Sequence, residues 1–268
     1  MRVRYLVADP TKNLTLVVLS PVPEELRAGC ARRLMELEPS CEQAGFLTAP
    51  PPGCAAALCM AGGEFCGNAA MSAAAIYAQG IGIRPRAEVA VQTAVSGAPE
   101  PVTAVVSRAG LRRFHASVSM PLPERLCRLP VTVGSRCFDA PAAVFPGITH
   151  ILLPGDTPRE DAERAIPAVC GFIGAPALGF MLLDEKNLRL QPLVCVPGSG
   201  TLFWEHSCAS GTSAVGAMLA AAQGTPLSLT LREPGGKLRI DAQYGSGGIV
   251  SLTLHGSVTL GGVRETEL

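Results

Sequence analysis

One motif is used twice in this chain, and it restricts the folds open to it. Cys66 lies in Glu64-Phe65-Cys66-Gly67-Asn68-Ala69, and Cys208 lies in Glu205-His206-Ser207-Cys208-Ala209-Ser210-Gly211-Thr212. Each opens an Ala-rich run that closes in Gln-Gly, at Gln79-Gly80 and at Gln223-Gly224. The runs Ala69 to Ala78 and Ser213 to Ala222 are apolar or small nearly all round, the pattern of a helix enclosed on every side. Such a helix cannot lie on a surface, so each copy must be wrapped by other structure. A second pair of segments keeps the same order. Pro23-Glu24-Glu25 opens a helix that places Leu26, Cys30, Leu34 and Leu37 on one face, and Pro158-Arg159-Glu160-Asp161 opens its counterpart. The prolines lie 135 residues apart (23 to 158) and the cysteines 142 (66 to 208), so an internal duplication is implied.

What wraps the helices is sheet. Short β-rich runs such as Leu14–Leu19, Val102–Val106 and Ile249–Leu254 recur between Pro/Gly turns, which predicts extensive antiparallel sheet. The expected class is α+β, with two pseudo-symmetric lobes that each fold antiparallel sheet around a central helix. The expected lobes are residues 1–117, carrying Cys66, and 118–256, carrying Cys208, with a last strand at about 257–268 returning to the first. The break is placed at Met120-Pro121-Leu122-Pro123, which interrupts the pattern.

Composition removes several function classes. Lys+Arg and Asp+Glu both number 22, and there is no basic cluster or interleaved aromatic pattern, so a nucleic-acid partner is not expected. No uninterrupted run of 18 apolar residues occurs and the start is too short of apolar residues for a signal peptide, so no membrane partner is expected and a cytoplasmic location is. Ten cysteines spread over 268 residues do not read as a disulfide framework. Cys30, Cys127, Cys137, Cys170 and Cys195 sit among apolar residues and are expected in the core. Cys54 and Cys59 lack metal-pair spacing, so no metal ligands are assigned.

The paired motif suggests its own chemistry. A thiol at a helix N-terminus ionises readily, because free amide N–H groups and the helix dipole favour the thiolate. An amino-acid α-proton is only weakly acidic, so removing it without a cofactor demands a desolvated base and electrostatic stabilisation of the carbanion. Two thiols, one ionised and one not, could take the proton from one side of a carbon and return it on the other. Backbone around Gly67-Asn68 and Ala209-Ser210-Gly211 would bind the substrate carboxylate. A Cys-His protease would recruit His115, His150, His206 or His255, yet no protease signature surrounds either cysteine.

At these residues the chain resembles the diaminopimelate epimerase superfamily, and Glu233-Pro234-Gly235-Gly236-Lys237 adds to the likeness. It is most similar to the cofactor-independent histidine racemases of opine-metallophore biosynthesis. The likeness rests on Cys41–Phe46, Gly63–Ser72, Leu190–Leu193 and Leu202–Thr212, in order over nearly the whole chain. The resemblance implies Cys66 and Cys208 as the acid–base pair and Glu42 as a further catalytic group. Asn13, Gln43, Gly67, Asn68, Glu205, Ala209, Ser210, Gly211 and Thr212 are expected to contact substrate, and Trp204 to serve packing. The expected partner is a small amino acid, with no cofactor, and the enzyme is expected to be a homodimer.

Departures from diaminopimelate epimerases bear on substrate. Glu205 is followed by His206 where those enzymes carry an Arg that holds a distal carboxylate, and Pro146-Gly147-Ile148-Thr149-His150 lacks their Asn. Losing a hydrogen bond to that charged group costs on the order of 1.5–3 kcal/mol, which disfavours diaminopimelate. The reaction that the resemblance implies is L-histidine to D-histidine, feeding a metallophore-building synthase. Open alternatives are epimerisation of diaminopimelate, racemisation of another amino acid, or a thiol redox or metal-binding role. The phenazine-pathway isomerase type shares the fold without using the cysteine pair.

Overall fold

A computed structural model describes residues 1–268 apart from the side chain of Ser199. The chain forms two compact units, Met1–Ser119 with His255–Leu268, and Met120–Leu254.

In the first unit β1 (Arg2–Pro10) and β2 (Thr15–Val18) form a hairpin. Thr11 and Lys12 turn the chain at positive φ (57° and 67°), and the Asp9 carboxylate accepts the Lys12 N–H at 2.6 Å. Helix α1 (Glu24–Leu37) crosses over to β3 (Gln43–Leu47), which lies parallel to β2, as a parallel neighbour requires. β4 (Ala56–Met60) pairs antiparallel with β3 and leads into α2 (Gly67–Gly80). β5 (Glu88–Val95) then lies parallel to β4, and β6 (Val102–Arg108) and β7 (Arg113–Ser119) complete a meander.

The second unit begins with the hairpin of β8 (Arg125–Val133) and β9 (Arg136–Phe145), followed by β10 (Ile148–Pro154) antiparallel to β9. Helix α3 (Arg159–Ile173) crosses over to β11 (Leu178–Asp184), parallel to β10. β12 (Arg189–Val196) pairs antiparallel with β11, and β13 (Thr201–Trp204) with β12. Helix α4 (Ala209–Gln223) follows, then β14 (Leu227–Glu233), β15 (Gly236–Gly245) and β16 (Gly248–Leu260). β14 bridges parallel to β12 and forms a hairpin with β15. The end of β16 pairs with β1, as does β17 (Arg264–Glu267).

The duplication is visible in topology. Each unit runs strand, amphipathic crossover helix, parallel strand, antiparallel strand, cysteine-headed helix, parallel strand; only β13 is extra, in the second. Both sheets are consequently mixed rather than antiparallel as expected, because α1 and α3 are crossover connections that can only join parallel neighbours.

α2 and α4 are enclosed by their own sheets, as an all-apolar helix requires. Ala69 to Ala75 are at most 1% exposed, and so are Ala214, Val215, Ala217 and Ala220. Their C-termini differ: Gly224 caps α4 at φ 66°, whereas Gly80 is the last helical residue of α2 and Gly82 takes the positive φ (67°). α1 buries Cys30, Ala31 and Leu34 against Val3, Leu16 and Phe46. The expected four-residue face is narrower than its periodicity suggested, since Leu26 and Leu37 are 49% and 55% exposed. α3 packs Ile166 and Cys170 against Ile151, Phe180 and Leu182, and full burial of such a side chain contributes about 1.5–3 kcal/mol. Cys137 is exposed and Cys127 only half-buried, because both stand on the β8–β9 hairpin, whose strands alternate outward. The core assignment does not hold for Cys137, whereas Cys127 packs half-buried against the core of the second unit and Cys30, Cys170 and Cys195 are buried.

Candidate active site

Both motif cysteines are N-caps. Cys66 has the extended backbone of a cap (φ −131°, ψ 112°) and its sulfur accepts the Ala69 N–H at 3.4 Å. Cys208 repeats this (φ −120°, ψ 104°), with its sulfur accepting the Gly211 N–H at 3.4 Å. Cysteine thus replaces the usual Ser, Thr, Asp or Asn at both helix starts. The first-turn N–H groups of Ala69 and Gly211 point at sulfur, Gly211 being among the backbone groups expected to meet a substrate carboxylate. Such donors, with the helix dipole, favour the thiolate.

Around Cys66, the side chains of Asn13, Thr15, Glu42 and Gln43, from the β1–β2 turn, the start of β2 and the start of β3, form one network. The Gln43 Nε2 group donates to Cys66 Sγ at 3.1 Å, to Asn13 Oδ1 at 2.6 Å and to Thr15 Oγ1 at 2.9 Å. Asn13 Nδ2 donates to Glu42 Oε2 at 2.5 Å. The turn is fastened to β3 by the Glu42 N–H, which donates to the Leu14 carbonyl at 2.8 Å. Asn13, Glu42, Gln43 and Cys66, four of the residues read from the sequence, are therefore brought together. Gln43, expected to contact substrate, presents its amide to the sulfur. Gly67 is the first residue of α2, and Asn68 next to it is 1% exposed.

Around Cys208 the environment is drier and more acidic. Cys208 is 5% exposed, and burial pushes its thiol well up, with the Glu205 and Glu233 carboxyls adding to the rise. The thiol hydrogen-bonds Glu205, while Ser210 acts in the opposite direction. Ser210 Oγ lies 3.6 Å from the sulfur and 3.0 Å from His150 Nε2. His150 is fully buried, and burial lowers its pKa to about 3, so the ring is neutral. Among the described residues Nδ1 has no hydrogen-bond partner, and a buried N–H without an acceptor costs more than a bare ring nitrogen, which favours the proton on Nε2. Nε2–H then donates to Ser210, and the Ser210 hydrogen is released toward Cys208 Sγ. Room for the ring comes from its strand neighbours Gly179 and Ala143. A Cβ on Gly179 would stand 2.3 Å from Nδ1.

Thr212, expected from the sequence to contact substrate, directs its hydroxyl to Glu233. Ala209, the first residue of α4, is buried. Trp204 is committed to packing: Nε1 donates to Glu163 at 2.6 Å, and the Arg159 guanidinium lies 4.1 Å from its ring centroid.

Two buried residues beside Cys208 escaped the sequence reading of the site. Glu233 ends β14 in phase with Leu227, Leu229 and Leu231, and this alternation of inward positions was a signal available in the sequence. His150 stands among Ile148, Ile151, Leu152 and Leu153, so a polar ring was due to be buried.

The fold is shared with racemases and epimerases. The chain superposes on a hydroxyproline epimerase from Agrobacterium vitis with a TM-score of 0.70 at 15% identity, over 99% of this chain and 91% of that one. It also superposes on a phenazine biosynthesis protein of the PhzF family from Bacillus anthracis with a TM-score of 0.71 at 9% identity, over the whole of both. At the level of sequence, it is 26% identical over 246 residues to a histidine racemase from Staphylococcus aureus, covering 88% of this chain and 86% of that protein. The family profile described as the histidine racemase CntK N-terminal domain matches residues 2–263, and the chain belongs to this family of amino-acid isomerases.

Proposed function

We propose that the chain interconverts L- and D-histidine by a two-base reaction in which Cys66 and Cys208 are the acid and the base. One thiolate takes the α-proton to become a thiol, and the C–H electron pair is left on Cα and spreads into the carboxylate. The other thiol gives its proton to the opposite face of Cα and becomes the thiolate. Each turnover exchanges the protonation states of the two sulfurs, and the reverse turnover or exchange with water restores them.

The observation that carries this reading is the repetition of one device, a cysteine N-cap whose sulfur accepts a first-turn N–H, at equivalent places in both units. Structural cysteines have no need to be duplicated at helix mouths. In the same reading the amide of Gln43 steadies the Cys66 thiolate, and Asn13 and Glu42 hold that amide. The backbone of Gly67, Asn68, Ala209 and Ser210, with Glu205 beside the Cys208 thiol, would bind the amino-acid ends. All ten cysteines are free thiols, which suits a reducing compartment such as the cytoplasm.

The reading is tested by proton NMR in D2O with L-histidine and, separately, LL-diaminopimelate. Loss of the histidine α signal with formation of the D-enantiomer is expected, and replacing Cys66 or Cys208 by Ser abolishes it. Faster exchange of diaminopimelate would overturn the substrate assignment, and full activity in either Ser variant would overturn the two-base reaction.

A further inference from the structure

Both oxygens of the Glu233 carboxyl are taken by the N-terminus of α4. Oε2 accepts the Cys208 N–H at 2.7 Å, and Oε1 is bonded to the Thr212 hydroxyl. Glu233 is 7% exposed and occupies the inward position that leucines take elsewhere on β14. A carboxyl at that depth is costly unless it is satisfied or neutral. A helix N-terminus whose cap is a cysteine also does not ordinarily receive a second, unrelated acid. Neither the packing of β14 nor the capping of α4 accounts for it, since Leu would satisfy the first and Cys208 already supplies the second.

We infer that Glu233 is a positioning residue for Cys208: it fixes the Cys208 amide and the Thr212 hydroxyl together, and any charge it takes opposes a negative charge on the neighbouring sulfur. The inference rests on the acid–base role proposed above for Cys208. Burial raises the Glu233 pKa to about 8, the Thr212 and Cys208 donors pull it down, and Glu205 pushes it further up. Below that range the protonated carboxyl donates from Oε1 to Thr212 Oγ1 and still accepts the Cys208 N–H on Oε2. Above it Glu233 gains a charge that opposes ionisation of Cys208.

The groups facing this carboxyl are known on each side. Cys208 and Glu205 stand at the α4 mouth, with neutral His150 reached from Cys208 through Ser210. On the outer side Arg232, Lys237 and Arg189 line the same cavity of about 1180 Å³ as Glu233, and all three are exposed to solvent. Their charges are screened by water, so they do not hold Glu233 ionised.

The test measures the rate of Cys208 alkylation by iodoacetamide against pH, by peptide mass spectrometry on the full chain. Wild type is compared with Glu233→Gln and Glu233→Ala, each first shown to be folded by circular dichroism. Gln reproduces the neutral acid, its oxygen accepting the Cys208 N–H and its amide donating to Thr212, but it cannot ionise. The Gln and wild-type rates are expected to coincide below about pH 7. Above about pH 8 wild type should fall behind, by about tenfold if the new charge is worth one pKa unit at the sulfur. The alkaline limb of racemisation should move up in the Gln variant by the same amount. Glu233→Ala, which releases both contacts, should slow racemisation at every pH.

Superimposable alkylation profiles for folded wild type and Glu233→Gln would overturn the electrostatic part of the inference. A folded Ala variant with wild-type alkylation and turnover would overturn the positioning part. Failure of the underlying reading would show separately, as unchanged turnover in Cys208→Ser whatever the alkylation profiles do.

Discussion

His150 ties the stability of the second unit to pH in a way that can be worked out in advance. In the folded chain the ring is fully buried and its pKa falls to about 3, whereas an unfolded histidine titrates near 6.5. Between these values the unfolded chain binds a proton that the folded chain does not. Stability therefore falls as the pH is lowered through this window, at about 1.4 kcal/mol per pH unit for one proton. Relative to the full stability present well above the unfolded pKa, this amounts to about 2.7 kcal/mol by pH 4.5. The perturbation is His150→Gln, whose Nε2 can still donate to Ser210 and which takes no proton at any pH. Urea unfolding of both proteins at pH 7.0, 5.5 and 4.5 gives the difference curve. Other acid-sensitive groups, including Glu38 and Asp184 with their lowered pKa values, are common to both proteins and cancel. The wild type should lose about 2.7 kcal/mol more than the variant over this range. A difference that stays flat within about 0.5 kcal/mol, well inside measuring accuracy for such pairs, would refute the claim that His150 is held neutral.

Two further substitutions report on the helix mouths. Gln43→Leu removes the amide that donates to Cys66 Sγ at 3.1 Å. A hydrogen bond to a charged partner is worth about 1.5–3 kcal/mol, so its loss should disfavour the Cys66 thiolate and slow alkylation near pH 7.5 at least about tenfold; an unchanged rate would remove Gln43 from the account. Gly216→Val tests the fit of α4, because a Cβ there would lie 2.7 Å from Ile240 Cγ1 and 2.8 Å from Cγ2. Overpacking of about 1–3 kcal/mol should lower the urea midpoint, and a stabilised variant would mean that β15 yields easily.

How much the sequence disclosed depended on the range of the interactions. The duplication was legible because the all-round apolar runs after Cys66 and Cys208 permit only enclosed helices, and a helix start is a local event. The sheets' mixed character was less so, since the parallel pairing of β2 with β3 follows from where α1 docks and not from either strand. Leu26 and Leu37 illustrate the same limit: helical period assigns them a face, but only packing decides how wide a strip of that face is covered. The partners of Cys208 lie far off in sequence, 25 residues away at Glu233 and, through Ser210, at His150, which is 60 residues from Ser210. Their polar character in apolar strands was visible, while the sulfur that gives it meaning was not. Glu42, Asn13 and Gln43 entered only through family resemblance, and the geometry adds that they form one chain of hydrogen bonds ending on Cys66.

The central claim is that two different groups handle the α-proton. The direct measurement is the isotope content of both enantiomers recovered early in a reaction of L-histidine in D2O. Two bases predict D-histidine that carries deuterium at Cα beside residual L-histidine that is still protiated. Deuterium appearing in the residual L-histidine as fast as in the product, or product that retains the original proton, would contradict the account.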